Sequence, residues 1–178
     1  MKVEDVLNDS WLVFKKHWVS FLIATGIVAF GSILTFLIAG PPLLFGLYFM
    51  AIKGLNGEEV EMADVFKGFN YFVNSWIYVI IAGILVTIGL ILFLFPGLLL
   101  SILLFYAIPL IILKEMGATD GIQKSINIGR ENFTFTILLC FTCFMINVVG
   151  FTLRIGWIVS IPFTTLLITK AAIDLTKE

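Results

Sequence analysis

Trp76-Ile-Tyr-Val-Ile-Ile-Ala-Gly-Ile-Leu-Val-Thr-Ile-Gly-Leu-Ile-Leu-Phe-Leu-Phe95, then Pro96-Gly97, then Leu98-Leu-Leu-Ser-Ile-Leu-Leu-Phe-Tyr-Ala-Ile-Pro-Leu-Ile-Ile-Leu113 runs for 38 residues without a charged side chain. Each limb is long enough, at about 1.5 Å per helical residue, to enter the roughly 30 Å hydrocarbon layer of a bilayer. Pro96-Gly97 cannot continue a helix smoothly and marks the turn between them. The stretch reads as a helical hairpin, Trp76–Phe95 and Gly97–Leu113.

Two further stretches have the same form. Trp18 to Ala39 turns at Gly40-Pro41-Pro42 and returns through Leu43 to Ile52; Phe133 to Val149 turns near Gly150 and Arg154 and returns through Ile155 to Thr169. The first return limb is short, so residues 41–53 either start deep beside an unwound Pro-Pro segment or form a re-entrant limb. The fold class expected is all-α: a polytopic membrane bundle, six spans in three hairpins with cytoplasmic interfacial helices. One integral membrane domain covers residues 1–178. A mean hydropathy of +1.09 and 60% apolar content exceed those of an ordinary soluble domain.

Charge supplies the orientation. All twelve acidic residues, and every one of the eleven basic ones except Arg154, fall in the clusters Lys2–Lys16, Lys53–Lys67, Lys114–Glu131 and Lys170–Glu178. Cytoplasmic loops are the ones rich in Lys and Arg, so both termini are expected in the cytoplasm of a prokaryotic cell, with the hairpin turns beyond its membrane. No small-residue processing site follows the first apolar run, and that span is expected to stay in the mature chain.

Inside the clusters a second pattern appears. Asp5, Asp64 and Asp120 stand 59 and 56 residues apart, each opening about three polar turns that end at Trp18, Trp76 or Phe133. This spacing suggests repeats over 3–57, 62–117 and 118–176. Val3, Val6, Leu7, Trp11 and Phe14 recur at helical spacing in the first segment, and Val65, Phe66, Phe69 and Phe72 in the second. Such amphipathic helices can lie in the headgroup plane, with the three aspartates near their starts. Gly121 and Gly129 weaken the third.

Candidate lipid or solute contacts are few. Trp18 and Trp76 suit the cytoplasmic aromatic belt and Trp157 the opposite one. Arg154 can snorkel to phosphate or draw an anionic lipid, and Asn147, about two turns earlier, needs a partner if it faces the bundle. Pro109 and Pro162 interrupt helix hydrogen bonding in the return limbs, where Ser101, Ser160, Thr164 and Thr165 could line a cavity. Gly46, Gly83, Gly89 and Gly156 permit close helix packing.

Several function classes lose support. No ionisable group sits near the middle of a span, as proton-coupled transport needs. His17 is the sole histidine, and Cys140 and Cys143 suit apolar filler on one helix face, so no catalytic, metal or cofactor residues are assigned and no cofactor is expected. There is no basic face for nucleic acid. The expected partners are membrane lipids, with a protein partner or a second copy of the chain.

Trp11-Leu-Val-Phe-Lys-Lys-His-Trp18, Leu94-Phe-Pro-Gly-Leu98 and Asp120-Gly-Ile-Gln-Lys-Ser-Ile-Asn-Ile-Gly-Arg-Glu-Asn132 carry a resemblance over nearly the whole chain. It resembles uncharacterised prokaryotic multi-pass proteins related to the membrane domain beside some glycerophosphodiester phosphodiesterases. The resemblance implies a six-span bundle. The soluble catalytic domain of the fused members and its acidic metal-binding residues have no counterpart in this sequence, so it implies no hydrolysis. The leading functional expectation is a noncatalytic scaffold or accessory subunit that organises lipid or a partner. The alternative is a small transporter or channel for a neutral or amphipathic solute, and a lipid-modifying enzyme ranks third.

Overall fold

The computed structural model describes residues 2–35, 37–92, 94–153 and 156–176, with Phe95 as backbone only. These residues form helices and no strands: α1 (Val3–Leu34), α2 (Gly40–Leu55), a 3-10 helix (Met62–Tyr71), α3 (Phe72–Leu92), α4 (Leu94–Leu103), α5 (Ala107–Leu113), α6 (Ala118–Glu131), α7 (Phe133–Thr152) and α8 (Trp157–Leu175). The protein is an all-α bundle. Five stretches are long and apolar enough to cross a membrane: Val3–Leu34, Met62–Leu92, Pro96–Leu113, Phe133–Thr152 and Trp157–Leu175. At 16 residues, α2 reaches only about 24 Å.

The three return limbs form the centre. α2, α5 and α8 contact one another, and Phe45, Tyr48, Ile108, Leu110, Leu167 and Ile168 from these helices belong to one buried cluster. The outgoing limbs lie outside, with large apolar side chains uncovered on each: Phe30 and Ile33 on α1, Ile84 and Ile91 on α3, Phe141 and Phe144 on α7. Exposed apolar surface of this extent is costly in water, and a hydrocarbon solvent removes that cost.

The polar lead-in segments pack against protein. The 3-10 helix lies on α2, α6 on α5, and the first half of α1 on α8. Along α1, Asp9 meets Lys170 at 3.0 Å, and the rings of Trp11 and Phe14 stand edge-on to Phe163 at 5.7 Å. Val6, Ser10 and Phe14 are buried there, whereas Trp11 remains exposed on one side. The helix kinks at His17 (φ −121°, ψ 22°), where the lead-in gives way to the apolar limb.

Three expectations change in detail. The prolines expected at two hairpin turns stand inside first helical turns instead, since α2 starts at Gly40 and α4 at Leu94. Asp5, Asp64 and Asp120 are each the third residue of their helix, near its start as expected. There a carboxylate still faces the positive end of the helix dipole. The second segment is 3-10 rather than α, so residues three apart fall in line. One row, Val65, Gly68 and Tyr71, turns toward α2, while Phe66, Phe69 and Phe72 form a neighbouring exposed row. The expected single face of Val65, Phe66, Phe69 and Phe72 is thus divided. Finally, the return limb Gly97–Leu113 is interrupted by a turn at Leu104–Tyr106.

Close backbone approach explains the 3-10 segment. A Cβ on Gly46 would collide with the Val65 carbonyl, and one on Gly68 with the Pro42 carbonyl and the Gly46 amide. Two facing glycines let the chains touch backbone to backbone. Gly89 approaches Gly97 within the second hairpin, and Gly150 approaches Gly156 within the third. Gly83 differs: nothing lies within 4 Å of where its Cβ would stand, so it is no packing contact.

Candidate functional site

Polar side chains inside the bundle are paired at four joints. At the first, Asp64 receives Lys67 Nζ at 2.7 Å, Lys53 Nζ at 2.8 Å and the Glu61 backbone N–H at 3.0 Å. Asp64 precedes the apolar stretch that begins at Phe72. Burial raises its pKa, but the hydrogen bonds from Lys53 and Lys67, with that from Glu61, outweigh burial and hold it at about 2. The carboxylate closes the capping box of the 3-10 helix while fastening that helix to α2.

The second joint lies at the break in the return limb. Ser125 on α6 donates its hydroxyl to Leu103 O at 2.7 Å and accepts the Tyr106 N–H at 3.1 Å. Pro109 is the third residue of α5, a first-turn position whose missing N–H would have had no helical partner. The unwound backbone is therefore satisfied by a polar connector. The residue responsible, Ser125, was not among the sequence candidates, because its partners lie 19 and 22 residues away.

Asn147 and Thr164 do come together. Asn147 Nδ2 donates to Cys143 O at 2.9 Å and to Thr164 Oγ1 at 3.3 Å, and its Oδ1 accepts the Ser160 hydroxyl at 3.1 Å. This third joint staples α7 to α8 two residues either side of Pro162, which is buried inside α8. The candidate hydroxyls bond within their own helices, Ser101 to Gly97 O, Thr164 to Ser160 O and Thr165 to Ile161 O, while Ser101 and Ser160 each line a cavity. At the fourth joint, Tyr106 gives its hydroxyl to Thr136 Oγ1 at 3.2 Å.

The aromatic candidates separate. Trp76 donates its indole N–H to Ile38 O at 3.2 Å, so the turn of the first hairpin, not a headgroup, holds it. Trp18 is 52% exposed just beyond the α1 kink, and Trp157 is half-buried at the first position of α8. Arg154 lies outside the described residues. Cys143 is buried and Cys140 partly so, both as free thiols. Among the described residues no cluster of three His, Cys, Asp or Glu side chains could hold a metal.

A cleft remains beside these joints. It encloses about 430 Å³ between α3 and the broken α4–α5 limb. Ala82, Gly83 and Val86 form one wall, Leu104 and Phe105 the other, and Tyr48, Ile108 and Ile168 from the three return helices close it toward the core. Tyr78 also lines it, its ring edge-on to Phe45 at 6.1 Å. Sequence reasoning passed over both tyrosines, since nothing in their spacing, 30 residues apart, shows that they meet.

No family model matches this chain, and no curated protein or solved structure matches it.

Proposed function

We propose that the chain is a noncatalytic, multi-pass protein of the prokaryotic cytoplasmic membrane that organises lipid or a protein partner, with both termini in the cytoplasm. One observation carries the reading: the polar groups at the four joints bond to one another, and the three return helices meet through apolar side chains. A conducting path needs polar groups left free for the solute. The uncovered apolar faces of α1, α3 and α7 supply surface for acyl chains or a partner's helices. Three hairpins return the chain to the side it left, whether the first crosses fully or turns back within the membrane.

The cleft is the one feature favouring the alternative, a transporter for a neutral or amphipathic solute. Its closure by Tyr48, Ile108 and Ile168 weighs against that reading, because each is under 10% exposed and packed in the core. Stopped-flow shrinkage of proteoliposomes in glycerol and urea gradients tests the choice. The organiser reading expects the rates of protein-free vesicles; a saturable increase with protein would overturn it.

A further inference from the structure

The cleft beside α3 combines an apolar wall with two tyrosine hydroxyls for which the described residues supply no partner. Tyr48 is 8% exposed, yet its hydroxyl has no hydrogen-bond partner among the described residues, and neither has that of Tyr78. The contrast with Tyr106, whose hydroxyl is bonded to Thr136, shows that the fold can satisfy a buried phenol when its site is closed. Both tyrosines line the cleft, so an occupant that supplies an acceptor gives their hydroxyls a hydrogen bond that the described residues do not. From Tyr78 to Val86 the cleft follows one face of α3 through Ala82 for about 12 Å. Apart from the tyrosine hydroxyls, no ionisable group lines it. Gly83 leaves its middle open, with nothing within 4 Å of the missing Cβ.

We propose that this cleft binds the acyl ester of a membrane glycerolipid, the ester carbonyl accepting from Tyr48 and Tyr78 and the chain lying over Gly83 toward Val86. A cavity of this size falls in the range that holds small ligands, and its apolar walls exclude a charged headgroup. The position fits the occupant. Tyr78 stands two residues beyond Trp76, where the polar lead-in becomes an uninterrupted apolar helix, as a lipid's ester stands between headgroup and chain. The proposal rests on the organiser reading and names the lipid feature that such a protein would hold.

Photolabelling tests it in nanodiscs of palmitoyl-oleoyl phosphatidylglycerol doped with the same lipid bearing a diazirine in mid-chain. After illumination and digestion, adducts are expected on the cleft-lining Val79, Ala82, Val86, Ser101, Leu104 and Phe105 in excess over the outward residues Ile84 and Ile88. Gly83→Leu puts a side chain into the open space beside Gly83 and should cut cleft adducts at least tenfold while the melting temperature holds. Tyr48→Phe combined with Tyr78→Phe should cut them about tenfold by removing two hydrogen bonds. The ether-linked analogue, which has no carbonyl, should label several-fold more weakly than the ester. Adducts spread evenly over the outer faces, or cleft adducts indifferent to both variants, would overturn the proposal. If that occurs and proteoliposomes show no solute flux, the organiser reading stands without the cleft; a flux blocked by Gly83→Leu removes both.

Discussion

Trp76 Nε1 donates a hydrogen bond to the carbonyl oxygen of Ile38 at 3.2 Å, tying the first turns of α3 to the turn of the first hairpin. The turn of the second hairpin lies at the other end of α3, beyond Leu92, about 24 Å along the helix from Trp76. The two hairpin turns are therefore staggered. Trp76→Phe keeps the ring and removes the donor, and about 1 kcal/mol of local stability should go with it. Amide hydrogen exchange of the 37–43 segment should quicken about fivefold, with α7 unchanged. Unchanged exchange in that segment would show that the bond does not hold the turn.

Backbone contact between Gly46 and Gly68 sets a second expectation. Gly46→Ala places a methyl group against the Val65 carbonyl, an obstacle that cannot rotate away. A loss of about 3 kcal/mol, at the upper end of overpacking costs, should appear as a lowered melting temperature in detergent. Gly83→Ala is the control. Its Cβ enters open space, and the better helix propensity of alanine should leave the melting temperature equal or higher.

Stability should fall in acid through Asp64. Its folded pKa, about 2, lies below the ordinary 3.8, so the ionised form is favoured by folding. The contribution is complete above about pH 4 and is lost as the pH drops toward 2. It amounts to about 2 kcal/mol. Chemical unfolding of the wild type in detergent between pH 5 and pH 2 should show this loss. Asp64→Asn should be less stable at pH 6, where Lys53 is left without its carboxylate, and should lose that part of the acid dependence. An identical acid profile in the variant would remove Asp64 from the explanation.

Among the described residues, Ser125 is the side chain that bonds the backbone at the break between α4 and α5. Ser125→Ala leaves Leu103 O and the Tyr106 N–H without it, in a site closed to solvent. The expected loss is about 1–3 kcal/mol, read as a lower unfolding midpoint. Ser125→Thr keeps the hydroxyl and separates the hydrogen bonds from side-chain volume.

The hairpins were legible because charge and hydropathy are local properties. The limb expected at Phe133–Val149 is the helix Phe133–Thr152, and Trp76–Phe95 corresponds to α3, Phe72–Leu92. What the polar segments pack against was not legible. Periodicity identifies an apolar stripe but cannot tell lipid from protein, and Val65 and Phe66, adjacent in sequence, turn to different surroundings. Gly121 and Gly129 seemed to weaken the third segment; they are where α6 closes on Ile111 and Leu103. The cleft was hidden for a related reason. Tyr48 and Tyr78 belong to different hairpins, and an open space beside Gly83 exists only after three helices have packed.

Everything proposed here depends on the polar lead-in segments sharing one side of the membrane. Single cysteines at Lys2, Glu59, Lys124 and Leu153, in a Cys140→Ala, Cys143→Ala background, can be labelled with an impermeant maleimide in intact spheroplasts and in inverted vesicles. The account predicts that Lys2→Cys, Glu59→Cys and Lys124→Cys label only in inverted vesicles, and Leu153→Cys only in spheroplasts. Labelling of any of the first three from outside, or of Leu153→Cys from within, would contradict it.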